Sequence, residues 1–119
     1  MKAETEEGIE IKVLKNLHDS IIRVIKFNPV LGLVLSNDEK GIIEIWDPDT
    51  YDFPSDNKRL AFETMSETDL FELAKNKTCA LSTQFSNDGS KFAIYCKDRK
   101  IRLFDMKSGK LIKTYIETL

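Results

Sequence analysis

Short runs of alternating apolar and polar residues, separated by turn residues, dominate the chain and predict strands. Ile21-Ile22-Arg23-Val24-Ile25-Lys26-Phe27 ends in an aromatic and breaks at Asn28-Pro29. Gly32-Leu33-Val34-Leu35-Ser36 follows, then the turn Asn37-Asp38-Glu39-Lys40-Gly41, then Ile42-Ile43-Glu44-Ile45-Trp46. A second series has the same order: Leu81 to Phe85, the turn Asn87-Asp88-Gly89, Lys91 to Cys96, Ile101 to Phe104, and Leu111 to Ile116 beyond the Ser108-Gly109 turn. Phe27 and Phe85 are 58 positions apart, and so are Trp46 and Phe104. Two landmarks at one offset mark an internal repeat.

The repeat organises the chain. Residues 1–16 read as a tail plus the last strand of a preceding unit, Ile9-Glu10-Ile11-Lys12-Val13. The first copy covers 17–63, with Arg59-Leu60-Ala61-Phe62-Glu63 as its fourth strand. An insertion and linker cover 64–76, and the second copy covers 77–119. Ser66-Glu67-Thr68-Asp69-Leu70-Phe71-Glu72-Leu73-Ala74-Lys75, with a capping serine, early acids and apolar Leu70, Leu73 and Ala74, predicts a short helix between the copies. With the turn-rich loop Asp47 to Pro54, it lengthens the period beyond the ~40–45 residues of a propeller-blade repeat.

Composition narrows the classes. The 119 residues are 41% apolar and 32% charged, with a net charge of -2, enough for one modest domain. The near-balance argues against a nucleic-acid module. It conceals an asymmetry, since residues 1–74 carry 8 basic and 16 acidic side chains and residues 75–119 carry 10 and 4. Opposite ends of this kind suit head-to-tail association as well as two solvated faces. No apolar run is long enough to span a membrane, and the acidic first residues do not form a signal peptide, so a soluble intracellular chain is expected. Cys79 and Cys96 read as small buried side chains, and one histidine without a Cys-x-x-Cys pair makes a metal site unexpected. No cofactor is implied. His18-Asp19-Ser20 holds triad residue types, but neighbours in sequence do not converge as a triad does. No catalytic residue is assigned.

The sequence His18, strand, Ser36-Asn37-Asp38, strand, Trp46-Asp47 resembles a WD repeat, whose plan is a four-stranded propeller blade. The resemblance implies an all-β fold of two such blades, a partial β-propeller with a short inserted helix. It also implies a buried relay in which Asp38 orients His18, His18 meets Ser36, and the Trp46 indole donates to that hydroxyl. The Asp38-to-Trp46 spacing is two residues longer than the family's. The second copy has the family spacing from Asp98 to Phe104, but Cys96 stands for the serine, Phe104 for the tryptophan, and Asn76 or Lys77 where histidine would be.

Asn28-Pro29-Val30, Gly41 to Trp46, Tyr51 to Pro54, Thr68 to Lys75 and Asp98 to Phe104 together resemble the WD-repeat region of cyclophilins that carry WD repeats. Matching extends into the inserted segment, where families differ most. The resemblance implies a protein-interaction scaffold from a nuclear, spliceosome-associated peptidyl-prolyl isomerase whose catalytic domain lies outside these residues. Expected partners are proteins, with no direct nucleic acid and no membrane. Two blades do not close a propeller, so the chain is expected to self-associate or to be completed by further blades. A second reading takes Lys100 and Arg102, sharing one strand face, as an acidic- or phosphopeptide-binding pair of a ubiquitin-ligase substrate receptor.

Overall fold

The computed structural model describes residues 17–56 and 58–116. The strand expected at Ile9 to Val13 lies outside the described residues. Among the described residues seven strands form two antiparallel sheets: β1 (Ile22–Asn28), β2 (Leu33–Asp38) and β3 (Ile43–Trp46) in one, and β4 (Ala80–Phe85), β5 (Lys91–Cys96), β6 (Lys100–Asp105) and β7 (Leu111–Ile116) in the other. Each sheet is a meander, so every strand pairs with its neighbour in sequence. No helix among the described residues is long and apolar enough to cross a membrane.

The registers are superimposable at the 58-residue offset. Phe27, Val34 and Trp46 lie in one cross-strand row, and Phe85, Phe92 and Phe104 in its counterpart. Ile25, Ser36 and Glu44 form the next same-face row, answered by Thr83, Ile94 and Arg102. Side chains alternate across a pleated strand, so these rows define one face of each sheet. The opposite face of the first sheet, with Leu33, Leu35, Ile43 and Ile45, packs on the row-bearing face of the second, with Phe92, Ile94 and Phe104, in a single buried cluster. Phe92 and Phe104 stack with centroids 5.0 Å apart. Asn37 of β2 donates to the Thr83 hydroxyl of β4 at 3.4 Å across this junction.

The structure corrects two expectations. Arg59 to Glu63 is not a strand, and the first sheet has three strands among the described residues. Leu60 and Phe62 are buried in the shared core, but the Ala61 N–H donates to the Lys107 carbonyl in a turn of the other sheet. Among the described residues β3 is thus laddered to β2 alone. The inserted helix is also broken, into a 3-10 turn at Met65–Glu67 and α1 at Glu72–Lys75. Its middle is used for docking: the Asp69 N–H donates to the Gly109 carbonyl, and the Asp69 carboxylate accepts from the Leu111 N–H. Leu70 and Leu73 are thereby fully buried.

Candidate functional site

The hairpin between β2 and β3 brings together the four residues of the expected first relay. Asp38 occupies the end of β2 and organises the turn: its Oδ1 accepts the N–H groups of Lys40 and Ile42, each at 2.9 Å. Its Oδ2 lies 2.9 Å from His18 Nδ1. His18 Nε2 lies 2.7 Å from the Ser36 hydroxyl, and the Trp46 indole N–H donates to that same oxygen at 3.0 Å. With the Nδ1 proton given to Asp38, Nε2 accepts the Ser36 proton, and Ser36 in turn accepts from Trp46. All four residues are buried, so each hydrogen bond replaces one that water would otherwise supply. Tyr51 stacks on Trp46 at 5.9 Å and covers its outer side.

Glu44 belongs to the same face, opposite Ser36. Its carboxyl is pushed above the usual range, chiefly by burial and also by the Asp38 charge, while His18 acts against both. The Ser36 hydroxyl is fully buried, and its oxygen is engaged by both the His18 ring and the Trp46 indole N–H. The arrangement can fix a hairpin to the loop carrying His18. Among the described residues no group of three or more His, Cys, Asp or Glu is placed to hold a metal ion.

In the second sheet the equivalent space is filled by a different chemistry. Arg102 takes the position of Glu44 and is 1% exposed. Its guanidinium forks onto Asp98, Nη1 to Oδ1 at 3.1 Å and Nη2 to Oδ2 at 2.8 Å, and its Nε faces Glu72 of α1 at 3.7 Å. Asp98 also receives the Lys100 N–H, and its own N–H donates to the Thr78 hydroxyl. The Arg102 hydrogen bond holds the Asp98 carboxyl below the usual range, and Asp98 in turn raises Arg102. Burial pushes the Cys96 thiol up, with Arg102 opposing.

Two sequence expectations therefore change. Arg102 shares its strand face with Lys100 and Phe104, but packing against the first sheet and the insertion leaves it 1% exposed and forked onto Asp98, so its guanidinium is not presented on an open face with Lys100. Asp98, for which the second copy offers no histidine, pairs with this arginine. By register Cys96 answers Asp38, and Ile94 answers Ser36.

The sequence places Arg59 at the start of the expected fourth strand and gives it no site role. Arg59 bonds Asp47, next to Trp46, at 2.7 Å, Asp56 at 2.6 Å, and the carbonyls of Leu31 and Gly32. The Arg59 bond lowers the Asp47 carboxyl, the Lys58 N–H and then Arg59 lower that of Asp56, and Asp47 chiefly raises Arg59. Only the signal Trp-Asp could have pointed to such a partner, and no spacing rule named it.

No family model matches the chain. It is 43% identical over 105 residues to the peptidyl-prolyl cis-trans isomerase CYP71 of Arabidopsis thaliana, covering 88% of this chain and 16% of that protein. It is 40% identical over 111 residues to the human peptidylprolyl isomerase domain and WD repeat-containing protein 1, covering 92% and 17%. Isomerase 9 of Schizosaccharomyces pombe is 31% identical over 110 residues, covering 90% and 18%. The chain thus spans about a sixth of the length of these relatives. Among solved structures, the β-propeller domain of Cps50 (Swd1) from Myceliophteria thermophila matches 98% of this chain and 34% of that one, with a TM-score of 0.57 at 14% identity. In sequence the chain is similar to a stretch of peptidyl-prolyl cis-trans isomerases that carry WD repeats, and its fold is that of part of a WD-repeat β-propeller.

Proposed function

We propose that this chain is a protein-interaction scaffold within a nuclear cyclophilin-type isomerase, bringing a catalytic domain outside these residues to spliceosomal complexes. One observation carries the reading: nine-tenths of the chain matches the human and mouse relatives named both for an isomerase domain and for WD repeats, yet occupies only about a sixth of their length. The role assigned to His18, Ser36, Asp38 and Trp46 is architectural. Their hydrogen bonds hold the β2–β3 hairpin against the preceding loop, which keeps the loops at that end in fixed relative positions for a partner. In the second copy Asp98 and Arg102 take over that task with an ion pair. Catalysis of prolyl isomerisation is assigned elsewhere in the parent protein.

The test compares the parent protein with a version lacking residues 17–116, both retrieved from nuclear extract. Loss of the co-purifying splicing proteins, with isomerase turnover of a proline peptide retained, supports the scaffold. Unchanged capture, or isomerase activity in the 119-residue chain itself, overturns it. The ubiquitin-ligase alternative keeps only Lys100, since Arg102 is buried.

A further inference from the structure

Two turns joined by hydrogen bonds gather cations at one end of the second sheet. The Lys97 N–H donates to the Cys79 carbonyl at 2.9 Å and the Asp98 N–H to the Thr78 hydroxyl at 3.0 Å, so the β5–β6 turn sits against the segment leaving α1. Lys75 and Lys77 come from that segment, and Lys97, Arg99 and Lys100 from the turn. All are exposed except Lys100, which is partly buried. Residues 72–77 and 97–102 together hold six basic side chains against two acidic ones, Glu72 and Asp98. Both acids are engaged from within: buried Arg102 forks onto Asp98 and faces Glu72, and the Asn76 amide donates to Glu72. Among the described residues no carboxylate lies within ion-pair distance of Lys75, Lys77, Lys97 or Lys100.

The backbone marks the same two turns. Lys77 has φ +55° and Arg99 has φ +70°, in the left-handed region. Lys77 follows the C-cap Asn76, its N–H donating to the Ala74 carbonyl while the Thr78 N–H returns to Leu73, a helix ending for which glycine is the usual residue. Arg99, whose N–H donates to the Cys96 carbonyl, holds the left-handed position of a short hairpin turn, where glycine is again favoured. At both places a long cation is kept at a conformational cost that glycine would avoid, and such strain gathers at functional surfaces. Phe71, whose carbonyl accepts the Lys75 N–H, is 40% exposed and shares the outward side of α1 with that lysine.

We infer that this end binds an acidic segment of a partner protein, its carboxylates spread over Lys75, Lys77, Lys97 and Lys100 and an apolar side chain resting on Phe71. Lysine ammonium groups are point charges on flexible stems, which suits a run of carboxylates. A long nucleic acid fits less well, because residues 1–74 carry 16 acidic against 8 basic side chains and repel a polyanion beyond the patch. Arg102 acts from the interior, since by holding Asp98 and Glu72 it leaves the surface lysines for another molecule. The inference rests on the scaffold reading only in taking the partner to be a protein.

Fluorescence anisotropy of a labelled hexaglutamate-leucine peptide, titrated with the complete 119-residue chain at low ionic strength, tests it. Binding that weakens with added salt is expected. Lys77→Glu together with Lys97→Glu lowers the affinity by about tenfold or more with the circular dichroism spectrum unchanged. Lys107→Glu together with Lys110→Glu, in the β6–β7 turn at the opposite end of the sheet, changes the net charge equally and leaves the affinity within about twofold. Equal weakening by both pairs means attraction to net charge alone and overturns the inference, as does the absence of binding. Tighter binding of a single-stranded RNA of equal charge also overturns it. So does peptide binding that emerges only after Glu4, Glu6 and Glu7 are changed to Gln, which assigns the patch to the chain's own acidic residues. None of these outcomes alters the capture of splicing proteins by the parent protein, so failure here and failure of the scaffold reading are told apart.

Discussion

Ser36 is the residue on which the first hairpin converges, because one hydroxyl serves both His18 and Trp46. Ser36→Ala leaves two buried polar groups without a partner, and a loss of about 2–4 kcal/mol is expected. Urea denaturation followed by the fluorescence of the chain's one tryptophan measures it directly. Glu44, on the same face, has the opposite sign. Its carboxyl is raised above the unfolded value, so the ionised form costs stability above the folded value, and that cost is relieved as pH falls through it. Glu44→Gln is therefore expected to be more stable than the parent sequence at neutral pH, with the difference shrinking on acidification. Equal stability at neutral pH would contradict this.

Arg102 and Asp98 supply the reverse dependence. Asp98 is depressed, so the stability due to its pairing is present above the ordinary aspartate value and lost as pH falls through the depressed one. Arg102→Ala strands Asp98 and Glu72 beside a cavity and should cost about 2–4 kcal/mol, toward the lower end because Asp98 keeps 26% of its side chain in solvent. Arg102→Met, which keeps the volume, should cost less and flatten the acid limb of the stability profile. Chemical denaturation across the acid range separates the two. The residue types of the first constellation were legible through the resemblance to a WD repeat, whereas the fate of Arg102 was not. A basic residue alternating with apolar ones reads as solvent-facing until a partner such as Asp98 is placed beside it.

At the scale of elements, the inserted segment decides how the hairpins sit. Gly41 lies in the turn between β2 and β3 with φ +89°, and a Cβ there would meet the Thr78 carbonyl oxygen at 2.5 Å and the Ala74 nitrogen at 2.7 Å. Both atoms are backbone at or just beyond α1, so nothing flexible can give way. Gly41→Ala is expected to lower the thermal midpoint by several degrees, with a stability loss of about 2 kcal/mol or more. Differential scanning calorimetry checks it, and an unchanged midpoint would mean the hairpin tolerates a shift away from the insertion. The alternation of Ile43 to Trp46 and of Lys91 to Cys96 was enough to locate those strands. Alternation at Leu60 and Phe62 was equally clear and misled, since both side chains are buried while their backbone pairs with a turn. A strand needs a partner edge as well as a pattern. The helix likewise needed its middle turn free, and Asp69 spends that turn on Gly109 and Leu111.

For the whole molecule, the continuous apolar cluster ties the sheets into one unit: Leu33, Leu35, Ile43 and Ile45 lean on Phe92, Ile94 and Phe104 without an intervening polar layer. Unfolding should be a single transition, with Trp46 fluorescence from the first sheet and far-ultraviolet circular dichroism from both giving coincident curves. Phe104→Ala, expected to cost about 3–5 kcal/mol, should move both curves together. Two separated transitions would show that the blades fold independently.

The sequence by itself determined the repeat, seven of the strands, the broken symmetry between His18-Ser36-Trp46 and its second-copy counterpart, and the kinship that follows from them. These are local properties, since side-chain period, turn residues and spacing act within one hairpin. Only the tertiary structure decided which strand faces meet, whether Arg59 to Glu63 pairs in a sheet, and that Arg102 turns inward to Asp98. Those outcomes depend on partners far away in the chain, because burial and pairing of a charge or a backbone edge are set by what another element brings within hydrogen-bond reach.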